Sequence, residues 1–156
     1  MPTPQLCTED EIVELVHAFY SRVRDDSVLG PIFDAHVKDW GEHLPKMVAF
    51  WSSALRGSRS YRGMPMPVHA ALPGLTQDLF ERWLDLFCET AMVLPNRQMA
   101  ERAVDLAQRI AQSLWFGYRL NRETAAMPGE ASNANDAVSS ANPGPGAYQK
   151  AEDCRT

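Results

Sequence analysis

The 156-residue chain has no apolar run that approaches the length of a membrane span, so no membrane partner is expected. Nor has it a surplus of positive charge. At a net charge of −5 there is no basic stripe to neutralise phosphates, and no nucleic-acid partner is expected. Cys7, Cys88 and Cys154 are scattered, odd in number and never spaced as Cys-x-x-Cys. That pattern argues against a disulfide framework, a cysteine zinc site and a dithiol motif, and it suits a reducing compartment. Met1-Pro2-Thr3-Pro4-Gln5-Leu6-Cys7 lacks the basic and apolar segments of a secretory signal, which makes the expected location cytoplasmic. Strand-like alternation of useful length is also missing, so the fold is expected to be all-α.

What the chain does have is helical periodicity. Its length fits one domain with a sizeable core. Thr8-Glu9-Asp10-Glu11 reads as a capping box, and Ile12, Val16, Phe19, Tyr20 and Val23 recur behind it at helical spacing. This predicts a helix from about Glu9 to Arg24, with His17 off the stripe and on the surface. Val28-Leu29-Gly30-Pro31-Ile32-Phe33 reads as a tight apolar connector that places Phe33 somewhere dry, and His36 follows it with no assigned role. A second helix is expected from near Asp39 to about Leu55. Pro45 requires either that the regular helix starts near Leu44 or that it kinks there. Arg56 to Gly63 is a polar loop. Thr76 is placed to cap a third helix through about Val93, apolar nearly all round and therefore expected in the core. Asn96 opens a last helix from Arg97 to about Tyr118, with Ala103, Ala107, Ile110 and Leu114 inward.

From Thr124 onward Ala, Ser, Asn, Gly and Pro dominate, and too little apolar surface remains to offset ordering entropy. Residues 1–123 are expected to form the folded domain and residues 124–156 a disordered tail. Glu130, Asp136, Glu152 and Asp153 against Lys150 and Arg155 give the tail −2, which leaves −3 on the domain.

The stretch Pro65-Met66-Pro67-Val68-His69-Ala70-Ala71-Leu72-Pro73-Gly74 reads as a short helical turn. Pro67 fits its first position, where a missing N–H costs nothing, and His69 falls on one face with Leu72. A rigid short helix holds an imidazole at a fixed angle, as a metal or haem ligand requires. Phe19, Tyr20, Phe33, Phe50, Trp51, Phe80, Trp83 and Phe87 crowd the apolar faces. Such rings are either plain core or the lining of a flat apolar cavity for a planar cofactor. Tyr20 and Trp83 carry donors on apolar faces, to be met by a backbone carbonyl or by a bound ligand.

The order Phe19-Tyr20, Leu29-Gly30-Pro31-Ile32-Phe33, Asp39-Trp40-Gly41-Glu42-His43, Phe50-Trp51, Tyr61, His69 and Phe80-Glu81-Arg82-Trp83-Leu84 resembles the group III truncated haemoglobins. These are small bacterial globins with a two-over-two helical sandwich around haem, and the resemblance covers about residues 9 to 120. It implies a truncated globin-like fold and haem b as cofactor. It makes His69 the iron ligand, and Tyr20, His43 and Trp83 the polar groups on the distal side. Phe33 would pack on the haem plane, Met47 and Trp51 would form the apolar wall, and Phe80 would be a further haem contact. Lys46 matches a position whose basic side chain pairs with a haem propionate; Tyr61 and Arg62 are weaker candidates for that task. The implied function is reversible binding of O₂, or its transport, with NO, CO and peroxide as other ligands. One alternative is a haem-dependent redox enzyme, an NO dioxygenase or peroxidase-like, served by an unidentified reductase. Another, of a different class, is a haem-free helical interaction module with the aromatics as core and the tail as its partner-binding segment.

Overall fold

The structure, a computed structural model, describes residues 3–61 and 74–125. The expected turn with Pro65, Pro67 and His69, the propionate candidate Arg62, Cys154 and the expected disordered tail beyond residue 125 lie outside the described residues. Among the described residues there are five helices and no strands: α1 (Glu9–Asp25), α2 (Leu29–His36), α3 (Trp40–Arg56), α4 (Gln77–Met92) and α5 (Arg97–Ala125). None is long and apolar enough to cross a membrane.

The first helix begins where the capping box placed it. The Glu11 N–H donates to the Thr8 hydroxyl at 3.2 Å, and the Thr8 N–H donates to the Glu11 carboxylate at 2.8 Å. Ile12, Leu15, Val16, Phe19, Tyr20 and Val23 are buried along α1, and His17 is exposed. Thr76 and Asn96 cap α4 and α5 as expected, accepting from Leu79 N–H at 3.4 Å and Met99 N–H at 3.0 Å. The last helix runs on to Ala125, well past Tyr118.

The segment read as a connector is instead the helix α2. Gly30 and Pro31 look like turn residues, but Pro31 is the third residue of the helix, where a backbone N–H has no intrahelical acceptor to lose. Asp26 starts the helix: its Oδ1 accepts from Val28 N–H at 2.9 Å and from Leu29 N–H at 2.8 Å. His36 is therefore the exposed last residue of a helix. A start of α3 near Leu44 is also ruled out. Asp39 caps the helix through Glu42 N–H, and the helix continues through Pro45.

Close backbone packing joins α1 to α2, α3 and α4, and α5 to α4 and, less extensively, to α3. The helices α3 and α4 have no such extensive contact. They meet where Trp51 lies flat against Phe87, ring centroids 4.9 Å apart. The main core gathers Phe19, Leu15, Ile12, Trp51, Leu55 and Phe87 with the small inward residues of α5. A second cluster holds Phe80, Ala111 and Leu114, with Trp115 packed against it. Cys7 is a free, buried thiol. Cys88 is buried in the core.

Gly30 marks the tightest crossing. A Cβ there would stand 2.6 Å from the carbonyl oxygen of Arg24, and backbone cannot rotate aside as a flexible side chain can. Gly30→Ala should cost about 1–3 kcal/mol of stability by overpacking. Chemical denaturation checks this; an unchanged midpoint would mean that α2 tolerates displacement from α1.

Candidate functional site

Tyr20 is the centre of the site. It lies near the end of α1, 6% exposed, where α2 and α3 cross. Phe33 of α2 stands edge-on to its ring at 6.1 Å, Trp40 of α3 lies at 5.7 Å, and His43 stands edge-on at 5.4 Å. Burial pushes the Tyr20 phenol well above its ordinary value, with the Tyr61 phenol adding to the shift. The hydroxyl is therefore protonated, a donor at any ordinary pH. Among the described residues it has no hydrogen-bond partner.

Trp83 supplies the second donor, from α4. Its half-buried ring stacks on Phe87 at 5.6 Å and meets the edge of Phe19 at 5.4 Å. Phe19 also stands edge-on to Tyr20 at 5.0 Å, so one fully buried ring spaces the two donors. The indole N–H of Trp83 likewise has no partner among the described residues.

His43 is turned toward the protein. It sits one helical turn beyond Trp40, whose ring it meets edge-on at 5.5 Å, and its Nε2 is shut off from solvent. Trp40 is the residue that reasoning from sequence missed as a site component. It stacks on Phe33 at 6.5 Å, donates its indole N–H to Asp34 at 3.3 Å, and carries the Arg24 guanidinium over its ring at 4.8 Å. The signal was present: Trp40 and His43 are three apart and share a helix face.

The remaining predicted residues divide into two groups. Met47 on α3 is half-buried with Leu44, Val48 and Phe50, and Trp83 on α4 is half-buried with Leu79 and Leu84. A helix as apolar as α4 is expected to be fully buried. Its first half is not, and these two half-covered rows belong to the two helices that do not pack along each other. Tyr61, half-buried, stands edge-on to Phe50 at 5.1 Å and gives its N–H to Ser53 Oγ at 3.0 Å. Trp51 and Phe80, by contrast, are core residues, 3% and 9% exposed, packed on Phe87 and Trp115 respectively. Lys46 is exposed and paired with Glu42 at 3.1 Å. His69 lies outside the described residues, and the described residues alone contain no cluster of metal-ligating side chains.

This chemistry fits a flat apolar group with a small polar ligand on one face. Half-covered apolar side chains on α3 and α4 could contact such a group, and two donors without partners among the described residues could serve such a ligand. A haem meets that description.

Comparisons with known proteins agree with the geometry. A sequence model of the bacterial-like globin family matches residues 5–115. The group 3 truncated hemoglobin ctb of Campylobacter jejuni is 37% identical over 117 residues, covering 70% of this chain and 92% of that protein. The crystal structure of a group III truncated hemoglobin from Campylobacter jejuni superposes with a TM-score of 0.66 at 35% identity, covering 74% of this chain and 94% of that one.

Two measurements check the site. Tyr20→Phe should leave the stability of the purified protein within about 0.5 kcal/mol of wild type, because no hydrogen bond among the described residues is lost; a loss of about 1 kcal/mol or more would reveal a protein partner for the hydroxyl. The second concerns acid. The Arg82 guanidinium, followed by the N–H groups of Leu29 and Val28, holds the Asp26 carboxyl down at about 2. The unfolded chain titrates near ~3.9, so this stabilisation is complete above that pH and is lost as pH falls toward 2. The difference in melting temperature between wild type and Asp26→Asn should therefore shrink from pH 4 to pH 2; a constant difference would contradict the assignment.

Proposed function

Because the chain belongs to the bacterial-like globin family, in company with the group III truncated haemoglobins, we propose that it binds haem b between α3 and α4 and takes O₂ and other small ligands on the Tyr20 side. The observation that carries this reading is the Tyr20 phenol, buried in a cage of rings with no hydrogen-bond partner among the described residues. When bound, haem supplies an iron that takes O₂, NO or CO.

The chain's own residues do the rest. Tyr20 and Trp83 would offer their O–H and N–H as hydrogen-bond donors to a small ligand held there, favouring ligands that carry partial negative charge. His43 is a third polar group on that side. Phe33 and Met47 exclude water and present apolar surface to the macrocycle, with Trp51 and Phe80 backing it from the core. His69, which lies outside the described residues, would hold the iron through its imidazole. Lys46 would pair with a propionate in exchange for Glu42, and Tyr61 would be a further propionate contact. Residues 1–123 form the haem-binding unit. A cytoplasmic location and O₂ binding or transport follow from the same reading, and any turnover of NO or peroxide would need a reductase partner.

The test is the absorption spectrum of wild type and His69→Ala, with haem supplied during expression, in ferric, reduced and CO-bound forms. Wild type should show a strong Soret band that shifts on reduction and on CO binding, and His69→Ala should lose the histidine-ligated reduced spectrum. No Soret band in wild type, or an unchanged spectrum in the variant, would overturn the reading.

A further inference from the structure

We infer that the ion pair between Asp26 and Arg82 is a positioning clamp that fixes the spacing of Tyr20 and Trp83 and so sets how long a small ligand is retained; this rests on the haem reading above. Asp26 follows the end of α1, and Arg82 lies on α4 next to Trp83 in sequence. The Arg82 Nε–H reaches both carboxylate oxygens of Asp26, at 2.8 and 3.0 Å. The Asp26 side chain is only 9% exposed, unlike the partners in the other ion pairs of the fold. Arg82, at 44% exposed, stays in contact with water, so the clamp is set by the two short contacts to one carboxylate and not by burial of both charges.

Asp26 also holds α2. Its Oδ1 takes the first N–H groups of that helix, and Gly30 wedges against the Arg24 carbonyl. One turn further along α2, Phe33 packs on Tyr20 and Trp40. The same carboxylate therefore anchors the helix that closes one side of Tyr20 and the helix that carries Trp83. Between these anchors, α1 and α4 are spaced by Phe19, whose ring meets Tyr20, Trp83 and Phe87. Another ion pair between α1 and α4, Arg22 with Glu89, is exposed on both sides and longer, at 3.6 Å. Releasing Arg82 frees the Trp83 turn of α4 from the α1–α2 corner, while the rest of α4 stays fixed by Phe87 in the core.

Asp26→Asn removes the charge of the clamp and keeps the helix cap, because the amide oxygen still accepts from Val28 and Leu29. Arg82→Gln removes the same pair from the other side. In the purified protein, each variant should speed hydrogen exchange in residues 29–36 and 79–84, and the double variant should be no faster than either. Escape of photolysed CO should rise by roughly fivefold in each single variant, again with no further rise in the double, and Arg82→Lys should recover part of the loss. A purely structural pair would lower the melting temperature and leave CO escape unchanged. Additive effects, or exchange equal to wild type, would overturn the clamp; faster exchange with unchanged CO escape would overturn its effect on retention. A wild type without a Soret band would instead sink the haem reading and retention with it, while the exchange data still decide the spacing.

Discussion

The Tyr20 phenol sits in a cage of rings with no hydrogen-bond partner among the described residues, and most of the architecture around it keeps it there. Phe19 and Phe87 fix the α1–α4 spacing beneath it. Phe33 and Trp40 stack on one another and close over its sides, and Trp40 is itself held by Asp34 and the Arg24 guanidinium. Every helix that touches Tyr20 is tied to α1 within a turn or two of it. A protein selected only for stability has a simpler solution, a phenylalanine, at the same position.

A second constraint follows from the packing order. The helix α1 packs closely on α2, α3 and α4, so α3 and α4 are each committed to α1 before they meet one another. They converge where Trp51 stacks on Phe87. Away from that level their apolar rows, Leu44, Met47, Val48 and Phe50 against Leu79, Trp83 and Leu84, remain only half covered. The closed core thus holds the helices firmly, while the apolar rows of α3 and α4 remain its less covered part among the described residues. Rigid scaffold and half-covered rows come from the same few rings.

Much of this was legible from the residues. The capping box at Thr8, the caps at Thr76 and Asn96 and the apolar stripes located four of the five helices, because each depends on neighbours within a turn. The helix α2 was not legible. Its start depends on Asp26, three residues upstream of Leu29, and on a proline at a position where helices tolerate it, so local turn chemistry pointed the wrong way. Pro45 left a later helix start open, and the Asp39 cap decides against it: it secures the first turn strongly enough for α3 to continue through the proline. Within the site, periodicity placed Tyr20 and Trp83 on apolar faces. It could not say that Trp51 turns its face to Phe87 in the core, nor that Trp40 joins the cage, since both depend on how helices distant in sequence cross. The Asp26–Arg82 pair spans 56 residues and has no signature in either segment alone.

The central claim is that the Tyr20 hydroxyl serves a ligand and no protein group. The most direct test is the rate of O₂ release from the ferrous protein in wild type and Tyr20→Phe. Loss of a hydrogen bond to a ligand carrying partial charge, about 1.5–3 kcal/mol, predicts release at least roughly tenfold faster in the variant. Equal rates would contradict the account and leave the buried hydroxyl without a function.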